Sequence, residues 1–246
     1  MGSPKIQVCI TTYERTASLR LLLLDLEREG ARRVRVYDDC SQIADYTKVV
    51  AQIEHNGWKW QRAQKNHGRV GHPRFLERIW QDLAKEPAAD LYVFLQDDNR
   101  LCARFFDRLE ETWQSIGSSK KATLMLMTDS RDTIWGSVQR PEPLGKADRI
   151  GWVDAIYAAP LRTLHDLDFK FPVVPPRREG SSGAGMGLTG SLRRLGLTMY
   201  RANPSLIVHL EIPSQMHATE RKKHPLLVKN FVDGEARHAQ LLRGEF

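Results

Sequence analysis

The stretch from residue 91 to residue 100, LYVFLQDDNR, constrains the fold of this chain more than any other. Its first five residues are apolar and include aromatic and β-branched side chains, a composition typical of a buried parallel strand. Open α/β sheets bind their ligands beyond the carboxyl ends of such strands. Asp97 and Asp98 stand at that end. Two adjacent carboxylates repel each other unless a proton or a cation such as Mg²⁺ or Mn²⁺ lies between them. The alternative is that one aspartate only caps a following helix.

Segments with strand character alternate along the chain with amphipathic segments of helical length. Strands that alternate with helices of this size form a parallel sheet with helices on both faces. The alternation fades after residue 127, and residues 129–149 have the composition of a loop or a small subsheet. The sequence therefore predicts an α/β fold with a mostly parallel central sheet and a smaller subsheet. The predicted strands are 5–12, 34–37, 58–63, 91–96, 122–127, 152–158, 197–202 and 205–210, and the predicted helices are 17–29, 43–55, one that opens at Pro73, 105–113 and 188–195.

Length and composition indicate one large domain. A chain of 246 residues with 41% hydrophobic residues can bury a substantial core. No run of about eighteen apolar residues is present, so we expect no membrane span, and no signal peptide is visible. Cys9, Cys40 and Cys102 lie far apart without metal-ligand spacing, which favours structural, reduced thiols in a cytoplasmic protein.

The chain is basic, with a net charge of +7 and a pI near 9.4. Part of the excess lies in clusters at residues 32–35, 177–178, 193–194 and 221–223. Clustered cations favour a polyanionic partner, such as nucleic acid or an anionic surface. The alternative is a solvated basic surface without a specific partner.

Other motifs are weak. Residues 185–190 match GxGxxG, but no strand precedes them, which argues against a dinucleotide fold and favours a flexible lid or a helix N-terminus that meets an anion. No GxSxG or HExxH pattern is present. Among the histidines, His209 stands out because it ends an apolar run as Asp97 and Asp98 do.

Four motifs in order resemble the landmarks of GT-A-fold, nucleotide-sugar-dependent glycosyltransferases. They are VCITTYER at 8–15, VYDDCS at 36–41, FLQDDN at 94–99 and NPSLIVH at 203–209. The resemblance covers residues 5–115 well and 150–217 loosely. It implies a Rossmann-like domain over residues 1–217, with a nucleotide-sugar-binding half at 1–115, an acceptor half at 116–217 and a basic C-terminal arm at 218–246.

The resemblance also implies a UDP-sugar donor and a divalent cation, Mn²⁺ or Mg²⁺, that stabilises the charge on the leaving nucleotide. Asp98 would bind the metal, Asp97 the ribose or a metal-bound water, and His209 would complete the coordination. Gln96 departs from the family, because many relatives carry the first acid of a DxD triplet there. The residues implied to frame the base are Thr11, Tyr13 and Asp39, and those implied near the base or diphosphate are Arg15, Arg69 or Arg74.

The catalytic base is the least defined element. By the same resemblance, Glu179 is the candidate general base that deprotonates an acceptor hydroxyl, with Asp154 as a second choice. Both could equally be surface carboxylates, in which case a retaining mechanism without an enzyme base becomes more plausible. The stereochemistry stays open.

A finer resemblance, to small phage-type glycosyltransferases related to the base J glucosyltransferase, concerns the acceptor. It rests on SGAGMG at 182–187, PSLIVH at 204–209 and IPSQMH at 212–217. It implies 5-hydroxymethylpyrimidine in DNA as acceptor, and host cytoplasm as location if the protein is phage-encoded. A basic chain fits DNA, because phosphate contacts give sequence-independent affinity. The expected phosphate contacts are Arg177, Arg178, Arg221, Lys222 and Lys223.

Three alternatives remain at this point. A glycosyltransferase could act on a cell-surface polysaccharide or a lipid-linked acceptor, since basic surfaces also dock on anionic lipid. A nucleic-acid-binding module without enzyme activity would need Asp97 and Asp98 only as a cap. A metal-dependent nuclease is the weakest of the three.

Overall fold

The computed structural model of the chain describes residues 4–42, 46–86, 89–128, 142–143 (backbone), 145–174, 183–210 and 230–245. The strands in these ranges are β1 (Ile6–Thr12), β2 (Val34–Asp38), β3 (Lys59–Arg62), β4 (Leu91–Gln96), β5 (Asn99–Leu101), β6 (Lys121–Met125), β7 (Glu142–Pro143), β8 (Ala147–Ile150), β9 (Tyr157–Pro160), β10 (Thr198–Ala202) and β11 (Ile207–His209). The helices are α1 (Thr16–Arg28), α2 (Tyr46–His55), α3 (Gly68–Lys85), α4 (Phe105–Ser115), α5 (Leu161–Asp166), α6 (Ala184–Arg194) and α7 (Gly234–Leu242).

Nine strands form the central sheet, in the order β3-β2-β1-β4-β9-β6-β10-β8-β7. β3, β2, β1 and β4 are mutually parallel, and β10 is parallel to β6. β9 runs antiparallel between β4 and β6, and β8 runs antiparallel to β10 and β7. The predicted α/β fold with a mostly parallel central sheet is confirmed.

Apolar side chains of the central strands alternate between two cores, one on each face of the sheet. In β4, Leu91, Val93 and Leu95 pack on one face, and Tyr92 and Phe94 on the other. The first core also contains buried residues of α1, α2, α4 and α7, and the second contains those of α3, α5 and α6. Helices therefore cover both faces, as the alternating sequence pattern predicts.

A second, two-stranded sheet pairs β5 with β11. β5 begins at Asn99, directly after the two aspartates, so the residues after Asp98 form a strand and not a helix. The interpretation of Asp97 or Asp98 as a helix cap is therefore wrong. The Asn99 side chain closes the turn between β4 and β5, because its Oδ1 accepts a hydrogen bond from the Gln96 N–H (2.9 Å).

Two helices begin earlier than the sequence predicts. α3 starts at Gly68, with Pro73 inside it, because the Asp39 carboxylate accepts the His67 N–H (3.1 Å) and fixes the chain just before the first turn. α6 starts at Ala184 and contains the predicted lid glycines. The prediction of a flexible lid over residues 185–190 is therefore wrong, since these residues lie in a packed helix.

Close packing explains why positions 185 and 187 of α6 are glycines. A Cβ on Gly185 would lie 2.7 Å from the Trp152 ring and from the Val153 carbonyl oxygen, and a Cβ on Gly187 would lie 2.2 Å from the Pro172 carbonyl oxygen. Glycine lets the helix approach these segments. Packing therefore accounts for the first two glycines of the GxGxxG match.

The C-terminal arm contains α7, which packs on the domain. Phe231 and Leu241 are buried in the same core as α1 and α4. No helix in the described parts of the chain has the length and apolarity needed to cross a membrane.

Candidate functional site

The carboxyl ends of β1, β2 and β4 meet at one edge of the sheet, because these strands are parallel neighbours. Thr12 pairs with Asp38, and Thr11 pairs with Gln96. The loops that follow these ends carry Tyr13 and Arg15, then Asp39, and finally Asp97 and Asp98. This edge is where open α/β sheets bind ligands.

Asp97 is fixed to the end of β1. Its Oδ2 accepts hydrogen bonds from the Thr12 hydroxyl (2.8 Å) and the Tyr13 N–H (3.3 Å), and its own N–H donates to the Thr11 carbonyl (3.1 Å). Burial and the charge of Asp98 raise the pKa of Asp97, and the Arg15 guanidinium offsets this only in part. Asp97 is therefore a rigid buried acid beside Asp98.

Asp98 faces His209 across the small sheet. The pairing of Asn99 with His209 brings the His209 Nε2 to 3.3 Å from the Asp98 Oδ1, and both side chains are almost fully buried. His209 Nδ1 lies 2.8 Å from the Leu210 carbonyl oxygen, so Nδ1 carries a proton. In the neutral imidazole, the Nε2 lone pair then points toward the carboxylate. Two electron-donating atoms held this close favour a proton or a metal ion between them.

Arg15 supplies positive charge to both aspartates. Its Nη1 contacts the Asp98 Oδ2 in a short hydrogen bond and lies 3.3 Å from the Asp97 Oδ1. Its backbone N–H donates to the Tyr46 hydroxyl (3.1 Å), which also bonds to the Thr12 hydroxyl (3.0 Å). One nitrogen of Arg15 thus provides the counter-charge that two adjacent carboxylates require.

Asp39 follows β2 and contacts His67, which the sequence does not mark as a site residue. Its carboxylate accepts the His67 N–H (3.1 Å) and contacts the His67 Nδ1 (2.5 Å), and the His67 ring stacks on Phe75. Burial, and then the negative charges of Glu14 and Asp39, raise the Tyr13 pKa. The signal for His67 in the sequence is its place before the glycine that opens α3.

The loops after β1 and β2 are tied to each other. The Glu14 N–H donates to the Ser41 hydroxyl (2.8 Å), and the Glu14 carboxylate accepts the Gln42 N–H (2.5 Å). Glu14 and Cys40 have positive φ angles of 56° and 66°, which non-glycine residues rarely adopt. Strained backbone of this kind concentrates at ligand sites.

The two other predicted arginines lie on α3. Arg69 is half-buried in the first turn, close in sequence to His67. Arg74 is exposed and lines a separate open groove of about 550 Å³ with Lys170 and Arg194, between α3, α6 and the segment after α5. Arg69 therefore stands nearer in the chain to the Asp39 group, and Arg74 belongs to the basic groove.

Asp154 precedes β9, which is antiparallel to β4 with Tyr157 opposite Phe94. This direction brings the segment before β9 to the sheet edge that carries Asp97. Asp154 is half-buried and accepts the Ala155 N–H (2.8 Å). Glu179, Arg177, Arg178, Arg221, Lys222 and Lys223 lie outside the described residues.

The residues at this edge suit a divalent cation in part. Asp98 and His209 offer an oxygen and a nitrogen ligand, and the His209 tautomer leaves Nε2 able to coordinate. Within the described ranges, no three His, Cys, Asp or Glu side chains converge on one point as a metal site would require. A cation bound here would need further ligands from elsewhere, such as a diphosphate and water.

Three solved structures of low sequence identity share this fold. The mannosyltransferase PcManGT from Pyrobaculum calidifontis, in complex with GDP-Man and Mn²⁺, matches 81% of this chain and 55% of its own, with TM-score 0.57 and 15% identity. TarS from S. aureus (residues 1–349) matches 84% and 60%, with TM-score 0.56 and 15% identity.

Glucosyl-3-phosphoglycerate synthase from Mycobacterium tuberculosis matches 85% of this chain and 73% of its own, with TM-score 0.54 and 18% identity. The chain spans 55–60% of the length of the first two proteins. No protein-family model and no curated protein sequence matches the chain. These likenesses concern the fold, and the chain has the GT-A, Rossmann-like fold that its sequence motifs predicted.

Proposed function

We propose that this protein is a glycosyltransferase that uses a nucleotide-sugar donor and a divalent cation. The observation that carries the proposal is the Asp98–His209 pair, held 3.3 Å apart beside Asp97 at the sheet edge where Asp39 also lies. A GT-A fold with an acidic pair at this edge suits a donor whose diphosphate needs charge neutralisation.

UDP-sugars are the proposed donors. The base would lie against Thr11 and Tyr13, with Asp39 as the acceptor for a ring N–H of uracil. His67 holds Asp39 in place through two contacts. Arg69 is the proposed diphosphate contact. Among the structural neighbours, TarS is described in complex with UDP-GlcNAc and PcManGT with GDP-Man, which supports a nucleotide-sugar donor without fixing the base.

Mn²⁺ or Mg²⁺ is the proposed cation, with Asp98 and His209 as its protein ligands. When bound, the cation would neutralise charge on the departing nucleoside diphosphate. Asp97 would hold the ribose or a metal-bound water. Arg15 would have to leave Asp98 for the cation to bind there, and its guanidinium could then contact the diphosphate.

The proposed acceptor is a 5-hydroxymethylpyrimidine in DNA. The net charge of +7 supports a polyanionic acceptor, and the groove of Arg74, Lys170 and Arg194 adds positive charge beside α6. The basic residues 177–178 and 221–223 are further proposed phosphate contacts. A polysaccharide or a lipid-linked acceptor is the alternative, and a cytoplasmic location stays a prediction.

Asp154 and Glu179 remain the proposed general bases. Asp154 has the support of its place before β9, at the edge of the sheet that carries Asp97. A carboxylate there could take the proton from an acceptor hydroxyl as the new bond forms. Without such a base, a retaining reaction would be expected.

A transfer assay tests the proposal. The protein would be incubated with UDP-sugars and Mn²⁺ or Mg²⁺, with and without hydroxymethylcytosine or hydroxymethyluracil DNA. UDP release and a nucleoside heavier by one sugar would support both donor and acceptor. Metal-dependent UDP release without a heavier nucleoside would exclude the DNA acceptor. DNA binding that is unchanged by Asp98→Ala, with no donor turnover, would favour a nucleic-acid-binding module.

A further inference from the structure

A buried ion pair joins α1 to β5, the strand that begins directly after Asp98. Asp25 on α1 and Arg100 on β5 both have side chains with 0% exposure. The Arg100 Nε donates to the Asp25 Oδ2 (2.7 Å), and its Nη2 donates to the Asp25 Oδ1 (3.1 Å). This bidentate geometry is the strongest form of a carboxylate–guanidinium contact.

Asp25 holds the backbone of β5 as well as its side chain. The Asp25 Oδ2 accepts the Leu101 N–H (2.9 Å), and the Asp25 Oδ1 accepts from the Arg28 Nη1 (2.9 Å). β5 is thus attached to α1 through both a side chain and a backbone group. Few hydrogen-bonding positions remain on this carboxylate for other partners.

Arg100 also reaches the C-terminal segment. Its Nη1 and Nη2 donate to the carbonyl oxygens of Leu241 (3.4 Å) and Glu245 (3.5 Å), at the carboxyl end of α7, where the helix dipole favours a cation. The Asp233 carboxylate accepts the Ala103 N–H (2.7 Å), just after β5. β5 is therefore held between α1 and the segment that contains α7.

The strand held in this way carries one side of the candidate cation site. Arg100 pairs with Val208, and Asn99 pairs with His209, so any shift of β5 changes the register that places His209 against Asp98. The Leu210 N–H donates to the Asp98 carbonyl oxygen (2.7 Å), which is a further bond between the segments that carry Asp98 and His209. The position of β5 therefore sets the distance between Asp98 and His209.

We propose that Asp25 and Arg100 are positioning residues, which fix the distance between Asp98 and His209 and thereby set the affinity of the cation site. This inference rests on the proposed function. A buried ion pair can often be replaced by apolar residues without loss of stability. Stability alone therefore does not explain why this chain has an ion pair at Asp25 and Arg100. Residues that orient metal ligands, in contrast, affect metal affinity strongly.

The test compares two double variants. Asp25→Leu/Arg100→Met removes the pair without leaving a buried charge. Asp148→Leu/Arg201→Met removes a matched buried pair, which joins β8 to β10 in the large sheet (Nε to Oδ2, 2.9 Å). Arg100→Lys, which keeps the charge but loses the bidentate contact, serves if the first variant does not fold. Mn²⁺ binding is measured by electron paramagnetic resonance with UDP present, and hydrogen exchange of residues 99–101 and 207–209 is measured without metal or UDP.

The expected result is Mn²⁺ binding weakened about tenfold or more in Asp25→Leu/Arg100→Met or in Arg100→Lys, with faster exchange in β5 and β11. The Asp148→Leu/Arg201→Met control should keep both the affinity and the exchange of the wild type. Unchanged exchange and an Mn²⁺ affinity within about twofold of the control would overturn the inference. If the wild type binds no Mn²⁺ even with UDP present, the proposed function fails, and the exchange data alone decide whether the pair positions β5.

Discussion

Asp98 is the residue on which the proposed chemistry depends most directly. Its carboxylate faces His209 on one side and Arg15 on the other, and its side chain is 1% exposed. We expect Asp98→Asn, which keeps the shape and removes the charge, to lower metal-dependent donor turnover by about 100-fold or more. Steady-state UDP release measures this. Asp107→Asn, at an exposed position on α4, is the control and should behave as the wild type. Equal turnover in both variants would contradict the role of Asp98.

Arg15 competes with a metal ion for the same carboxylates. Because its Nη1 contacts both Asp97 and Asp98, removal of the guanidinium frees negative charge at the site. We expect Arg15→Gln to raise the Mn²⁺ affinity of the donor-free protein by about three- to tenfold and to weaken UDP binding. Calorimetric titration with Mn²⁺ and then with UDP separates the two effects. An unchanged or lower Mn²⁺ affinity would show that Arg15 does not occupy the place of the cation.

The three thiols should differ in reactivity. Burial raises the pKa of Cys102 to about 12 and raises that of Cys9 further, whereas Cys40 is only half-buried, in the loop after β2. Since the thiolate is the reactive form, a thiol reagent at pH 8 should modify one cysteine rapidly in the native protein and all three after denaturation. Cys40→Ser should abolish the rapid phase. A rapid phase that survives in Cys40→Ser would mean that the core around Cys9 or Cys102 opens easily.

At the scale of elements, α6 depends on the absence of a side chain at Gly187. A Cβ there would lie 2.2 Å from the Pro172 carbonyl oxygen, whereas a Cβ on Gly190 would lie 3.7 Å from the end of the flexible Arg194 side chain. We expect Gly187→Ala to destabilise the protein by about 3 kcal/mol through overpacking against backbone. Gly190→Ala, the matched control, should be neutral or stabilise by about 0.5–1 kcal/mol.

Urea unfolding of the two variants measures the difference. Equal free energies of unfolding for Gly187→Ala and Gly190→Ala would mean that α6 does not pack on Pro172 as described. The pair also tests whether the GxGxxG match has a packing role, because a phosphate-binding role makes no such distinction in a ligand-free protein.

Long elements with a regular hydrophobic period were predictable from the sequence. β1, β2, β4, α1 and α4 lie within one or two residues of their predicted bounds, because the three strands are apolar runs buried on both faces and each helix buries one apolar face. The starts of α3 and α6 were not predictable from the sequence. Glycine and proline locally indicate the end of a helix, whereas tertiary contacts to Asp39 and Pro172 determine where these two helices begin. β5 has only three residues and is defined by its pairing with β11, about a hundred residues later in the chain.

At the scale of the whole molecule, strand ends brought predicted site residues to one place. Asp39, Asp97 and Asp98 follow parallel strands, so their convergence could be expected from the sequence once the strands were recognised. The contacts of His67 with Asp39 and of Asp25 with Arg100 could not, because they join residues far apart in sequence without a local pattern. The roles of all these residues in a reaction remain predictions.

The central claim is that the edge formed by β1, β2 and β4 binds a uridine nucleotide together with a metal ion. Isothermal titration of the protein with UDP, in the presence and absence of Mn²⁺, tests it most directly, with Asp39→Asn and Asp98→Asn as site variants and Asp107→Asn as control. We predict that the wild type binds UDP and that Mn²⁺ strengthens this binding. Asp39→Asn should weaken UDP binding with or without metal. In Asp98→Asn, UDP binding should no longer depend on Mn²⁺. No UDP binding, or binding that neither site variant changes, would contradict the account.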